Sequence, residues 1–447
     1  KNRGDNGDAN DTNAIIADIL ALRAERAQIL GFETHAHLRM DDTMARDPAR
    51  AQELMERVWR PAVARVHQEV ADMQAIANRQ RANITIEPWD YLFYAEQVRR
   101  DRYNLDQNEV REYFELNNMI EAMFYMANQL YGLSFNEVTG TVPVFHPDVR
   151  VFEVSDRDGS YQGLFYFDAF ARPGKRSGAW ASGYQGHHTY TGRVVTPITS
   201  NNNNFVQAPQ GQPTLISLDD AQTLFHEFGH GLHGLLSEVN YPGLAGTPRD
   251  YVEYPSQVHE HWVLTRPILD RFSRPYRTGE PLQQAMVDRI NNAATFNQGY
   301  ETVEYLSSAL VDMALHNRTT AVTDPDAFER ETLAALGMPR EMVMRHRLPQ
   351  FGHLFSSDAY SAGYYSYLWS EVMDADTWEM FESTGNVFDP TAAAGMRNII
   401  LAEGNSSDRA EAYRRFRGRD PAVNALLRVR GFPTGADSAG TTCTLRS

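Results

Sequence analysis

Apolar residues recur at helical spacing among charged ones over Asn13 to Leu30, Pro48 to Ala77, Asn108 to Tyr131, Pro281 to Ala294 and Asp408 to Arg417, and each stretch predicts a helix. Short runs rich in β-branched and aromatic residues cluster instead between about Val142 and Phe205. Within that region Arg193 to Ser200 is β-rich but broken by Pro197, which predicts an edge strand able to pair with an extended peptide. Asn201 to Asn204 reads as a turn, and His187-His188, flanked by glycine, as a loop facing solvent. The pattern is that of a mainly α protein with one small sheet. No internal repeat and no long Pro/Gly/Ser linker interrupts Asp5 to Pro433, and residues 435–447, small and polar, are expected to form a loose tail.

One helical stretch carries chemistry. Ser217-Leu218-Asp219-Asp220 reads as a capping box ahead of Ala221 to Phe225, so a helix starts there. Two turns in lies His226-Glu227-Phe228-Gly229-His230, an HExxH pattern. On a helix the four-residue step brings both imidazoles to one face, where they can hold one zinc ion. Glu227 beside them is placed to take a proton from a water at the metal while that water attacks a carbonyl. Leu224, Phe225, Phe228, Leu232, Leu235 and Leu236 make the helix apolar on several sides, so it is expected in the body of the protein. Two core histidines bonded to backbone carbonyls are the plain alternative. Gly229, Gly231 and Gly234 lie inside this helix although each costs about 1 kcal/mol relative to alanine, which points to close approach of a second helix or a substrate backbone.

The third ligand is open on spacing. A metzincin would place glycine three residues after His230 and histidine six after, but those positions hold His233 and Leu236. Thr247-Pro248-Arg249-Asp250 reads as a threonine cap, a proline and a closing acid, so a second helix is expected to begin there and to kink at Pro255. It carries Glu253, with Gln257 and Glu260 near the same face as polar neighbours. Glu238, Asp250 and Glu260 compete with Glu253 on spacing alone. Farther on, His353-Leu354-Phe355 and Tyr360 to Glu371 form an aromatic loop leading into a helix. Core packing is the common role of such runs, yet phenols can also donate to an oxyanion without adding negative charge.

The run HEFGHGLHGLLSEVNYPGLAGTPRDYVEYPSQVHEHW, from His226 to Trp262, closely resembles the thimet-oligopeptidase family of zinc peptidases, and within it the bacterial peptidyl-dipeptidase (Dcp) type. The likeness extends over Asp5 to Asn10, Tyr94 to Arg99, Phe145-His146-Pro147-Asp148-Val149-Arg150, Phe170-Ala171-Arg172, Arg414 to Gly418 and Arg430-Gly431-Phe432. It departs at Gly246-Thr247-Pro248, a shorter loop than in Dcp-like sequences. The resemblance implies a large multi-helix neurolysin-like fold with a small sheet beside the HExxH helix. It further implies Zn²⁺ held by His226, His230 and Glu253, Glu227 as the base, and His353, Tyr360 and Tyr367 assisting the transition state; Tyr364 and Tyr365 read as packing residues, with a place in the substrate wall as the alternative. The implied activity is release of C-terminal dipeptides from short peptides, with internal cleavage of oligopeptides as the alternative. In such proteins the Asp5 to Asn10 motif follows a sizeable N-terminal helical region, so residues 1–434 read as the catalytic part of a longer chain whose missing portion is itself an expected partner. A non-catalytic zinc- or peptide-binding fragment is the rival class.

Composition narrows the rest. With 447 residues and 42% apolar composition the chain can bury a large core, and no apolar stretch is long enough to span a bilayer. A net charge of −16 argues against nucleic acid as partner. The single cysteine, Cys443, excludes an internal disulfide and leaves metal binding to histidine and carboxylate. A cytoplasmic location is expected, a periplasmic one being the alternative.

Overall fold

The long helix Pro48–Arg79 starts where the Asp47 side chain accepts from the Ala49 amide and Pro48 fills the first turn, a position that needs no amide proton. Its apolar face, including Leu54, Met55, Val58 and Val66, packs on the helix Gln298–His316. Gly299 makes that approach possible, since a Cβ there would lie 2.7 Å from the Val66 nitrogen. In the computed structural model residues 3–275 and 278–434 are described. The expected tail 435–447, Cys443 included, lies outside the described residues.

Most of the expected helices form: Asn13–Ile29, Pro48–Arg79, Gln284–Asn292 and Arg409–Arg417, the last capped by Asp408. The stretch from Asn108 to Tyr131 is instead two helices, Gln107–Arg111 and Leu116–Tyr131. Glu115 breaks it by capping the second, accepting from the Asn118 amide at 2.9 Å, while the Leu116 amide is diverted to the Thr214 carbonyl.

Five strands make one sheet in the order β1-β2-β3-β5-β4: β1 Ser134–Glu137, β2 Arg150–Ser155, β3 Tyr161–Phe170, β4 Trp180–Gln185 and β5 Ile198–Phe205. β3 and β5 run parallel, with Phe165 opposite Thr199, and the other pairs are antiparallel. This corrects two expectations. The strand after Pro197 is interior and β4 is the edge; and Asn201 to Asn204 belong to β5 rather than to a turn. Pro197 precedes β5 and so removes no donor from its ladder. Three of the four asparagine amides find acceptors there: Asn201 donates to the Glu227 carbonyl at 2.6 Å, Asn202 to Ser200 Oγ and the Trp180 carbonyl, and Asn204 to the Arg176 and Gly178 carbonyls, while the buried Asn203 side chain has no hydrogen-bond partner.

The helix Leu218–Leu235 lies across β3, β5 and β4 and against the helix Glu253–Glu260. Its three glycines mark those contacts. A Cβ at Gly229 would meet Ser256 Cα at 2.7 Å, at Gly231 Phe165 and Asn201 at 3.2 and 3.3 Å, and at Gly234 Thr199 Cγ2 at 2.7 Å. Phe228 also faces the aromatic core, 5.4 Å from the Phe165 ring and 5.8 Å from Phe124, which stacks on Phe135. The HExxH residues are thus seated between a sheet and a second helix. No helix among the described residues is long and apolar enough to cross a membrane.

Candidate functional site

The HExxH helix begins with the expected box: the Asp220 amide donates to Ser217 Oγ and the Ser217 amide to Asp220 Oδ2, both at 3.0 Å. Two turns on, the His226 and His230 rings stand 5.0 Å apart. Their Nε2 atoms lie 3.4 and 3.2 Å from one oxygen of Glu253, Oε2. Glu253 opens the second helix, but not by the expected box. Asp250 closes no cap on Thr247, whose hydroxyl is buried without a partner; its carboxylate instead accepts from the Met44 and Ala45 amides and the Tyr365 hydroxyl, each at 2.9 Å. The helix therefore starts at Glu253, five residues after Pro248. Pro255 becomes its third residue, where the missing amide has no intrahelical acceptor to lose, so no hydrogen bond is broken there.

Electrostatics sort the roles of these groups. His226 Nδ1 lies 2.6 Å from Glu260 Oε1, which places the proton on Nδ1 and leaves Nε2 as a lone-pair donor. Glu260, a competing ligand on spacing, is thus the outer support of His226. Burial would raise the Glu253 carboxyl, but the His230 and His226 imidazoles outweigh it and hold Glu253 well below the carboxylate range. Burial pushes the Glu227 carboxyl up, the two histidines only partly countering it; the residue is 5% exposed and its Oε2 has no hydrogen-bond partner. Two imidazole nitrogens and one carboxylate oxygen within 4.8 Å of one another are the donor set of a catalytic zinc site, and the unpartnered oxygen of Glu227 beside them suits a metal-assisted hydrolysis.

Tyr360 donates to the other Glu253 oxygen, Oε1, at 2.9 Å. Its ring stacks parallel to that of Tyr367 at 5.7 Å, and burial raises both phenols, so both are neutral donors. Gln257 fixes the Tyr367 backbone by donating to its carbonyl. Tyr364 and Tyr365 are buried, as a packing role requires. The structure brings six of the seven candidates, His226, Glu227, His230, Glu253, Tyr360 and Tyr367, to the wall of one open cleft of about 670 Å³. His353 is not in that wall; its ring packs edge-on behind Tyr360 at 5.3 Å and beside Tyr364 at 5.2 Å.

The cleft also has a wall that sequence reasoning missed. β4 runs along it with Trp180 and Tyr184, followed by His187. His187 is half-buried with Nδ1 3.1 Å from the Val239 carbonyl, and His188 pairs through its backbone with Val195, so neither is the solvent-facing residue expected. Arg249 lies over the face of Tyr360 at 4.4 Å. Its only signal in sequence was its place next to Asp250. Glu371 and Arg417 serve ion pairs, with Arg430 and Asp376.

Comparison with known proteins places the whole chain. Dipeptidyl carboxypeptidase of Escherichia coli (strain K12) is 40% identical over 438 residues, covering 96% of this chain and 63% of that protein. Oligopeptidase A of Salmonella typhimurium is 34% identical over 439 residues, covering 96% of this chain and 64% of its own length. The chain thus spans less than two thirds of these curated relatives. Among solved structures, PZ peptidase A with inhibitor 2 shares the fold with a TM-score of 0.56 at 15% identity, over 94% of this chain and 64% of that one. The profile described as Peptidase family M3 matches residues 1–432, nearly the whole sequence, and the chain belongs to that family.

Proposed function

We propose that this protein hydrolyses short peptides with zinc and releases dipeptides from their C termini. The observation that carries the reading is the partnerless Glu227 Oε2 beside three converging metal donors at the wall of an open cleft. Zinc, when held by His226, His230 and Glu253, supplies a Lewis acid that polarises the scissile carbonyl and makes a water more acidic. Glu227 takes the proton of the attacking water and returns it to the leaving amine; its raised affinity for a proton suits both transfers. Tyr360 and Tyr367 donate to the oxyanion as neutral phenols. His353 assists from behind, holding the Tyr360 ring. The free edge of β4 lies along the cleft and offers backbone donors and acceptors to an extended peptide.

Dipeptide release is supported by the 40% identity to a dipeptidyl carboxypeptidase. The likeness to oligopeptidase A supports a second reading, internal cuts in short peptides. Binding without catalysis would leave Glu227 without a task. Mass spectrometry of products from N-blocked peptides of increasing length, after chelation and after restoring zinc, tests all three. Successive loss of C-terminal dipeptides supports the first reading, interior cuts the second, and absence of any zinc-dependent product sinks both.

A further inference from the structure

Tyr360 sits on a loop, residues 356–365, between the short helix Gly352–Phe355 and the helix Ser366–Ser383. The loop passes through an unfavourable backbone: Ala362 has φ +53°, a left-handed conformation that a residue with a Cβ adopts only when its surroundings impose it. The imposing group is Asp312, fully buried in the helix Gln298–His316. Its Oδ1 accepts from the Ala362 amide at 2.9 Å and its Oδ2 from the Tyr364 amide at 3.0 Å. One carboxylate thus grips the loop on both sides of Gly363, two and four residues after Tyr360.

The far side is gripped by Arg23, from the helix Asn13–Ile29. It donates to Asp358 Oδ1 at 2.8 Å and to the Leu354 carbonyl at 2.6 Å, two residues before Tyr360 and at the preceding helix. The two grips are joined. Arg23 lies 3.1 Å from His316 Nε2, and since a guanidinium only donates, that nitrogen accepts and His316 Nδ1 donates to Asp312 Oδ1 at 2.8 Å. Asp312 therefore meets a neutral imidazole and two amides rather than a cation. A buried carboxylate of this kind needs each of those donors, so the groups it bonds are held in one arrangement.

We infer that Asp312 and Arg23 are positioning residues that clamp the 356–365 loop from both sides and so aim the Tyr360 hydroxyl at Glu253 and the cleft. Neither residue is in the cleft wall; each acts through Tyr360, and the inference rests on the proposed role of that tyrosine in catalysis.

The test compares zinc-loaded wild type with Asp312→Asn, Arg23→Lys and the double variant Asp312→Asn/Ala362→Gly. Asparagine keeps the shape of Asp312 but sets an NH₂ against one loop amide; glycine at 362 adopts the left-handed backbone without being forced. Displacing Tyr360 lowers kcat per bound zinc by about tenfold to a hundredfold in D312N and by about tenfold in R23K, with KM changed less than about threefold. Glycine at 362 recovers about threefold or more of the D312N loss, which relief of a merely weakened core would not do. Hydrogen exchange of loop amides, followed by mass spectrometry, rises in both single variants. Wild-type exchange and kcat in folded, zinc-loaded D312N and R23K overturn the clamp. If D312N does not fold, R23K decides by the same two readouts. A wild type without zinc-dependent cleavage, whose loop exchange still rises on substitution, would sink the peptidase reading and leave the clamp standing.

Discussion

Glu260 Oε1 lies 2.6 Å from His226 Nδ1, at the far end of the helix that Glu253 begins. The same short helix thus supplies one proposed ligand from its first residue and the support of another from its last. Replacing Glu260 with Gln removes the anionic acceptor and lets His226 change tautomer. Zinc affinity should fall about 10- to 100-fold, read by competition with a chromogenic chelator. Unchanged affinity would mean that packing alone orients His226.

Glu227 is separable from the metal. Glu227→Gln should bind zinc as the wild type does while kcat falls by roughly 10²- to 10⁴-fold. Zinc stoichiometry and turnover measured on one preparation check this, and a variant that keeps its rate would remove Glu227 from the chemistry.

The glycines of the HExxH helix should differ in cost. Gly229→Ala drives a methyl to 2.7 Å from the backbone of Ser256 and 2.9 Å from the Pro255 carbonyl, whereas the same change at Gly234 meets the Thr199 side chain. Backbone yields less than a threonine methyl. G229A is expected to cost about 1–3 kcal/mol in denaturant unfolding and to weaken zinc binding, because it pushes the Glu253 helix away; G234A should do less of both. Equal costs at the two sites would contradict the packing described.

Acid should loosen the Tyr360 loop through Asp358. Burial would raise this carboxyl, but hydrogen bonds from Arg26 and Arg23 outweigh it and hold it at about 2, against an ordinary 3.8. A folded-state value below the unfolded one stabilises fully above the unfolded value and loses that contribution as pH falls through the folded one. The window is therefore from 3.8 down to about 2. Denaturant midpoints of wild type and Asp358→Asn should differ at about pH 5 and converge toward pH 2; a constant gap would remove Asp358 from the acid response.

What could be read from sequence was what is local. The Ser217 and Asp220 box, the four-residue histidine step and most of the helical patterns depend on neighbours a few residues away, and these form as expected, the stretch from Asn108 to Tyr131 being the one that breaks in two. Glu253 was one of several acids until the family likeness singled it out. The failures share a cause in long-range partners. Asp250 looks like a capping acid until Met44 and Ala45 arrive to claim it, and four consecutive asparagines look like a turn until β5 pairs on both sides and Glu227, Trp180 and Gly178 offer carbonyls to Asn201, Asn202 and Asn204. β4 was missed because a six-residue strand with a glycine in it carries little pattern of its own. The Asp312 grip on Ala362 is invisible for the same reason, since nothing in either segment marks the other.

The bonds of Asp250 also bear on the order in which the molecule assembles. Its carboxylate and carbonyl join chain segments 206, 205, 115 and 120 residues away, closures that carry the entropy cost of long loops. Glu253 follows three residues later and is aimed only when those closures are made. A chain that has formed its HExxH helix but not yet gathered Met44 and Tyr365 would hold His226, Glu227 and His230 without Glu253 in place, so the proposed metal site is a product of the tertiary fold and not of its helix alone.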